Sequence, residues 1–173
     1  SGPIKSIDIG ETHACAIMQI TIKCWGSSQS GQLGNGVVAD TSLSPVSVNS
    51  VGGFTPLEVS VSINSDSNGG SSCALYSEDL TNQRVVMCWG YGENGQIGDG
   101  ADISLNSPSS TSKVSIDFEI ALGIAYGSDY VSTGQNDPMK ISLSSTSNFG
   151  CAMSYKGHVK CWGYNGYGQL GIE

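Results

Sequence analysis

Cys15-Ala16-Ile17-Met18-Gln19-Ile20-Thr21-Ile22-Lys23-Cys24-Trp25-Gly26, followed by Gly31-Gln32-Leu33-Gly34, is the stretch whose reading decides the fold. It returns as Cys73-Ala74-Leu75 through Cys88-Trp89-Gly90 to Gly95-Gln96-Ile97-Gly98. It returns again as Cys151-Ala152-Met153 through Cys161-Trp162-Gly163 to Gly168-Gln169-Leu170-Gly171. All three Trp and all six Cys of the 173 residues fall inside these copies. A phrase repeated this regularly points to like β units that bury their faces against one another.

Each copy reads as a hairpin. A turn at Gln19-Ile20 sets Cys15 opposite Cys24, with Ala16 facing Lys23, Ile17 facing Ile22 and Met18 facing Thr21. In the third copy a loop at Tyr155-Lys156-Gly157 sets Cys151 opposite Cys161, and Gly157 supplies the positive φ such a loop needs. In the second copy the loop is longer, about Ser77 to Arg84, and Val85-Val86-Met87 returns. Residues directly opposed in an antiparallel ladder lie within disulfide range, at a Cα separation of about 5.5 Å. The expected bridges are Cys15–Cys24, Cys73–Cys88 and Cys151–Cys161. The absence of a Cys-x-x-Cys knuckle and the scarcity of His disfavour zinc.

Between the hairpins lie Asn35–Ser72 and Gly100–Gly150. Apolar and polar residues alternate at 46–48, 57–63, 113–118 and 140–143, as in half-buried strands, and Pro45, Pro56, Pro108 and Pro138 punctuate them. No stretch carries a 3.6-residue period, so the expectation is all-β. Residues 64–72 and 126–137 read as surface loops. Within one repeat domain spanning 1–173, the units divide as 1–36, 37–100 and 101–173.

Charged residues make up only 13% of the chain, too few for a charged disordered tail. A net charge of −8 with seven scattered basic residues speaks against nucleic acid as partner. No apolar run approaches the ~18 residues of a membrane helix, so membrane insertion is not expected. Six cysteines in a chain this size suggest an oxidising compartment, hence a secreted or cell-surface protein.

At Gly10-Glu11-Thr12-His13-Ala14-Cys15-Ala16-Ile17 and at Trp162 through Gly171 the chain resembles the repeat family named after the regulator of chromosome condensation. The resemblance covers the three hairpin cores and the Gly-Gln-Leu/Ile-Gly turns, and is poor in the connecting segments. It implies three propeller-type, four-stranded antiparallel blades, with Trp25, Trp89 and Trp162 filling the space between them. Gln32, Gln96 and Gln169 mark the repeated turn. Two departures stand out. The units are longer than the family's, and three blades are fewer than the four or so of the smallest closed propellers. The expectation is an incomplete ring, or part of a larger or assembled propeller.

Other motifs read as structure rather than chemistry. His13 stands at a position the resemblance often fills with His, and His158 follows a hairpin turn. Neither joins a nucleophile and an acid in a recognisable triad, so no catalytic residue is assigned. Reviving an enzyme would need a convergent pocket around His13 and Asp8. Gly90-Tyr91-Gly92-Glu93-Asn94-Gly95 matches a dinucleotide fingerprint but opens a β turn, not a helix. Asn64 to Gly69 resembles half a calcium loop, yet Leu75 stands where a bidentate Glu is needed. No cofactor and no metal are expected. Asn106-Ser107-Pro108 is not a glycosylation sequon. Tyr91, Tyr164 and Tyr167 form a candidate contact surface.

The leading expectation is a non-enzymatic structural protein that associates with copies of itself through blade edges, as a filament subunit. The alternative is a secreted recognition module for another protein or a glycan. Less expected is nucleotide exchange on a small GTPase, which the resemblance implies for the family's nuclear founder.

Overall fold

The computed structural model describes residues 2–62, 69–109, 113–114, 137–144 and 147–171. The described elements are ten strands: β1 (Ile4–Ile9), β2 (His13–Met18), β3 (Thr21–Ser28), β4 (Ala39–Ser47), β5 (Phe54–Val61), β6 (Ser71–Glu78), β7 (Arg84–Gly90), β8 (Pro138–Leu143), β9 (Phe149–Ser154) and β10 (Val159–Gly163). They form three antiparallel sheets, ordered β1-β2-β3-β4, β5-β6-β7 and β8-β9-β10.

The hairpins set the register. Cys15 faces Cys24, Cys73 faces Cys88 and Cys151 faces Cys161, each joined by a disulfide. Their Cα atoms lie 4.1, 4.0 and 4.0 Å apart. This is closer than the hydrogen-bonded spacing expected from the sequence and matches the non-hydrogen-bonded pairs of a ladder, whose side chains approach most nearly.

The glycine after each Trp has one physical reason in all three copies. Gly26, Gly90 and Gly163 adopt φ of 107°, 103° and 106°. A Cβ there would stand 2.3, 2.5 and 2.3 Å from the carbonyl oxygens of Thr12, Gly70 and Asn148. Any side chain would strike the paired strand, so the Trp is followed by glycine.

The first sheet has four strands. The second and third have three each among the described residues. Beside β7, where β4 lies beside β3, only the bridges Met87↔Lys113 and Gly90↔Leu105 are described. β4 lies past residue 36 yet pairs with β3, so the first sheet extends into the segment assigned above to the second unit. Ser71 and Ser72 are buried in β6 rather than looped out: β7 pairs with both, and β5 pairs with Ser72 on the other side. Residues 63–68, 115–118 and 126–136 lie outside the described residues, and the expectations made there go with them.

Two apolar clusters join the sheets. The first unites Cys15, Ile17, Ile22, Cys24 and Leu33 of the first unit with Val59, Val61, Ala74, Tyr76, Met87 and Trp89 of the second. The second unites Cys73, Leu75, Val86, Cys88 and Ile97 with Ile141, Ala152 and Trp162 of the third. Alternate residues of β6 and β7 thus face opposite neighbours, as the period of two requires. Each sheet carries its Trp on a front face and its disulfide on a back face. The back of one sheet packs on the front of the next.

Candidate functional site

The clefts between sheets hold the repeated residues, and each cleft is built the same way. In the Gly-Gln-Leu/Ile-Gly turn the Gln side chain folds back on its own loop. Gln32 Oε1 accepts from Ser30 N–H at 2.9 Å, Gln96 Oε1 from Asn94 N–H at 2.8 Å and Gln169 Oε1 from Tyr167 N–H at 2.9 Å. The side chain therefore stiffens the turn, and the backbone carbonyl of the same residue is left to face the next sheet. Trp89 Nε1–H donates to the Gln32 carbonyl at 2.9 Å, and Trp162 Nε1–H to the Gln96 carbonyl at 3.0 Å. A buried indole needs such an acceptor. The closing glycine gives the ring its room: a Cβ on Gly34 would meet Trp89 Nε1 at 2.5 Å, and one on Gly98 would meet Trp162 Cδ1 at 2.7 Å.

The inner strands repeat a second contact. Asp8, Ser60 and Ser142 stand opposite the first Cys of their hairpins. Asp8 Oδ2 accepts from Val61 N–H at 2.8 Å and from Ser60 Oγ–H at 2.9 Å. Ser60 Oγ accepts from Leu143 N–H at 3.0 Å. Glu58 adds a hydrogen bond from Ile141 N–H and an ion pair to Lys140 at 3.4 Å. The sequence reading named Asp8 only beside His13 and did not single out Ser60, Ser142 or Glu58. The shared signal is a polar residue flanked by aliphatics before each hairpin, hidden by unequal spacing to the following Cys.

The first cleft also holds a buried polar relay. Ser72 Oγ–H donates to the Gln32 carbonyl at 2.8 Å, and His13 Nε2 lies 2.9 Å from Ser72 Oγ. With the hydroxyl proton spent on the carbonyl, the imidazole proton sits on Nε2 and is donated to Ser72. His13 Nδ1 is buried with no partner among the described residues. Burial lowers the His13 pKa from 6.5 to about 4, with the Asp8 charge acting in the opposite direction. The His13 imidazole is thus neutral and buried, with one nitrogen in contact with a serine. Ser71 and Phe149 take the place of His13 in the other sheets. His158 is half-buried beside its turn, and its backbone N–H donates to Ser154 Oγ.

The aromatic candidates separate. Tyr164 and Tyr167 meet edge to face, with ring centroids 6.2 Å apart, and Tyr167 is 90% exposed. Tyr91 is half-buried elsewhere, its hydroxyl donating to Glu93 at 3.1 Å. Among the described residues, no cluster of three or more His, Cys, Asp or Glu has the geometry to hold a metal.

The third turn differs from the first two. Gln32 and Gln96 are buried, with Leu33 and Ile97 beside them, whereas Gln169 and Leu170 are half-buried. Among the described residues, a Cβ on Gly171 would meet nothing within 4 Å. The regulator of chromosome condensation (RCC1) repeat matches residues 141–169. The chain resembles that repeat family, with one repeat matched. It is similar to the ultraviolet-B receptor UVR8 of Arabidopsis thaliana, 26% identical over 96% of this chain and 31% of that protein. It is also similar to the RCC1 domain-containing mitochondrial protein RUG3 of Arabidopsis thaliana, 27% identical over 85% of this chain and 30% of that one. The chain thus spans about a third of the length of these relatives. Among solved structures, human WBSCR16 aligns over 99% of this chain and 50% of its own, with a TM-score of 0.46 and 16% identity.

Proposed function

We propose that this repeat protein is a non-enzymatic structural protein of the cell exterior that associates with copies of itself through its outer sheet faces, as a filament or a closed ring. One observation carries the reading: positions buried in the internal clefts are uncovered on the outer faces. Val59 and Val61 are 3% exposed on the front of the second sheet, but the corresponding Ile7 and Ile9 on the first are 53% and 71% exposed. Val86 is 1% exposed on the back of the second sheet, but the corresponding Val159 on the third is 45% exposed. Apolar faces of this kind favour association. The three disulfides support an oxidising location.

Sedimentation velocity over a wide concentration range, with electron microscopy of the concentrated sample, tests the reading. The expected result is mass that grows with concentration, with rings or filaments in the micrographs. A monodisperse monomer throughout would remove it.

A second reading, recognition of a glycan or another protein, is favoured by the exposed Tyr164–Tyr167 pair. Binding to a glycan array that disappears in Tyr167→Ala would support it; binding that persists unchanged would not.

A further inference from the structure

We propose that the groove between the loops of the first two sheets is a binding site for a short, uncharged oligosaccharide. It is independent of self-association, because its lining comes from residues between 29 and 38 and between 91 and 106, inside the chain and away from the outer sheet faces.

The walls are held before any ligand arrives. Asn106 is the clasp. Its backbone carbonyl accepts from Gly36 N–H at 2.9 Å, and its side-chain Nδ2–H donates to the Gly36 carbonyl at 3.2 Å. Next to it, Leu105 exchanges two backbone hydrogen bonds with Gly90, at 2.6 and 2.9 Å. Gly31 lets the two loops touch, since a Cβ there would stand 2.6 Å from Asn106 Cα. The groove so framed has a volume of about 640 Å³, within the roughly 300–1,000 Å³ of small-molecule sites. Walls fixed in advance lower the entropy cost of binding.

The lining selects the chemistry. Glu93 is held by Tyr91, whose hydroxyl donates to Oε2 at 3.1 Å, and among the described residues Oε1 has no partner. Asn106 spends an amide hydrogen on Gly36, and among the described residues its Oδ1 is likewise uncommitted. Ser104 Oγ accepts from Gly92 N–H at 3.2 Å and keeps its own proton to donate. The exposed Gln29 amide adds a donor and an acceptor. Donors and acceptors are thus interleaved, which suits hydroxyl groups, since each can give one hydrogen bond while accepting another. Two apolar bodies share the lining: Val38, 58% exposed, and the half-buried Tyr91 ring. A sugar carries the matching pair of features, hydroxyls at its edge and C–H groups on its faces, and the latter suit the negative face of an aromatic ring.

Charged ligands fit worse. No Lys, Arg or His lines the groove, so a phosphate or carboxylate would meet Glu93 with no cation to offset it. A cation would use one carboxylate, already shared with the Tyr91 hydroxyl, and none of the donors beside it.

The test is amide shift mapping by NMR on the full chain, titrated with maltotriose, cellotriose, chitotriose and mannotriose, and with inorganic phosphate and putrescine as the charged alternatives. At least one saccharide should move the amides of Ser30, Tyr91, Glu93 and Asn106 and leave those of the third sheet still. Tyr91→Ala and Glu93→Gln should each weaken that binding about tenfold. Glu93 is exposed, so Glu93→Gln should melt at the wild-type temperature and keeps the test decisive if Tyr91→Ala is destabilised. Tyr167→Ala should bind as the wild type does. Shifts that map to Tyr164 and Tyr167 instead, or binding that both groove variants retain, would overturn the groove while leaving glycan recognition standing. A groove that answers phosphate or putrescine more strongly than every saccharide would overturn the ligand class, and one that answers no probe would overturn the site.

Discussion

Two turns of identical wording, Gly31-Gln32-Leu33-Gly34 and Gly168-Gln169-Leu170-Gly171, have opposite surroundings. The first lies beneath Trp89, with Gln32 fully buried and its carbonyl accepting two donors from the next sheet. The last keeps the same internal hydrogen bond and the same backbone hand, but among the described residues nothing would meet a Cβ on its closing glycine. The comparison teaches that the turn is shaped by its own Gln, before any neighbour arrives. It is a socket made by local geometry, and its occupant is a separate matter. The same holds for tryptophan: one residue type is a buried key in two sheets and a half-exposed one in the first.

The largest effect should separate equivalent tryptophans. Trp89→Ala removes a fully buried ring and leaves the Gln32 carbonyl short of a donor, and should destabilise by about 3–5 kcal/mol in urea unfolding. Trp25→Ala, half-buried, should lose roughly 1–2 kcal/mol under dilute conditions. Equal losses would erase the distinction between covered and uncovered faces.

The first cleft differs from the second by its histidine relay, which gives it a pH dependence. The folded pKa of His13 is about 4, below the 6.5 of the unfolded chain. Between these values the unfolded state binds more protons, so stability is complete above pH 6.5 and falls as pH drops towards 4. The loss should approach roughly 3 kcal/mol. His13→Gln, compared with wild type across that window by chemical denaturation, should flatten the slope. An unchanged slope would place the acid sensitivity elsewhere.

The disulfides should show a smaller, kinetic difference. Cys151 and Cys161 are half-buried, whereas the other four cysteines are 0% exposed. Under native conditions with limiting reductant, alkylation and mass mapping should find Cys151–Cys161 reduced first. Uniform reduction would mean that the outer sheet is as well covered as the inner ones.

Much of this was legible in the sequence. The hairpin register at Cys15/Cys24, Cys73/Cys88 and Cys151/Cys161 follows from alternation and turn chemistry, which are local. The glycines after Trp could be flagged as repeated, though not explained, since their constraint is a carbonyl on a paired strand. The inner-strand contacts were not legible. Asp8, Ser60 and Ser142 are equivalent only after pairing, because loops of different length separate them from Cys15, Cys73 and Cys151. Ser72 was hidden for another reason: it read as loop, and its role exists only when His13 and Gln32 are brought to it from more than thirty residues away. The role of Gln32 was also out of reach, since nothing in its spacing says that the side chain turns inward while the carbonyl points outward.

The most direct measurement is hydrogen exchange at the three indole N–H groups, followed by NMR as protein concentration rises. In dilute solution Trp89 and Trp162 should be protected and Trp25 should exchange fast. Raising the concentration should slow Trp25 alone, as self-association covers the face that carries it. A Trp25 that is protected at every dilution, or that stays fast at every concentration while the protein assembles, would contradict the account.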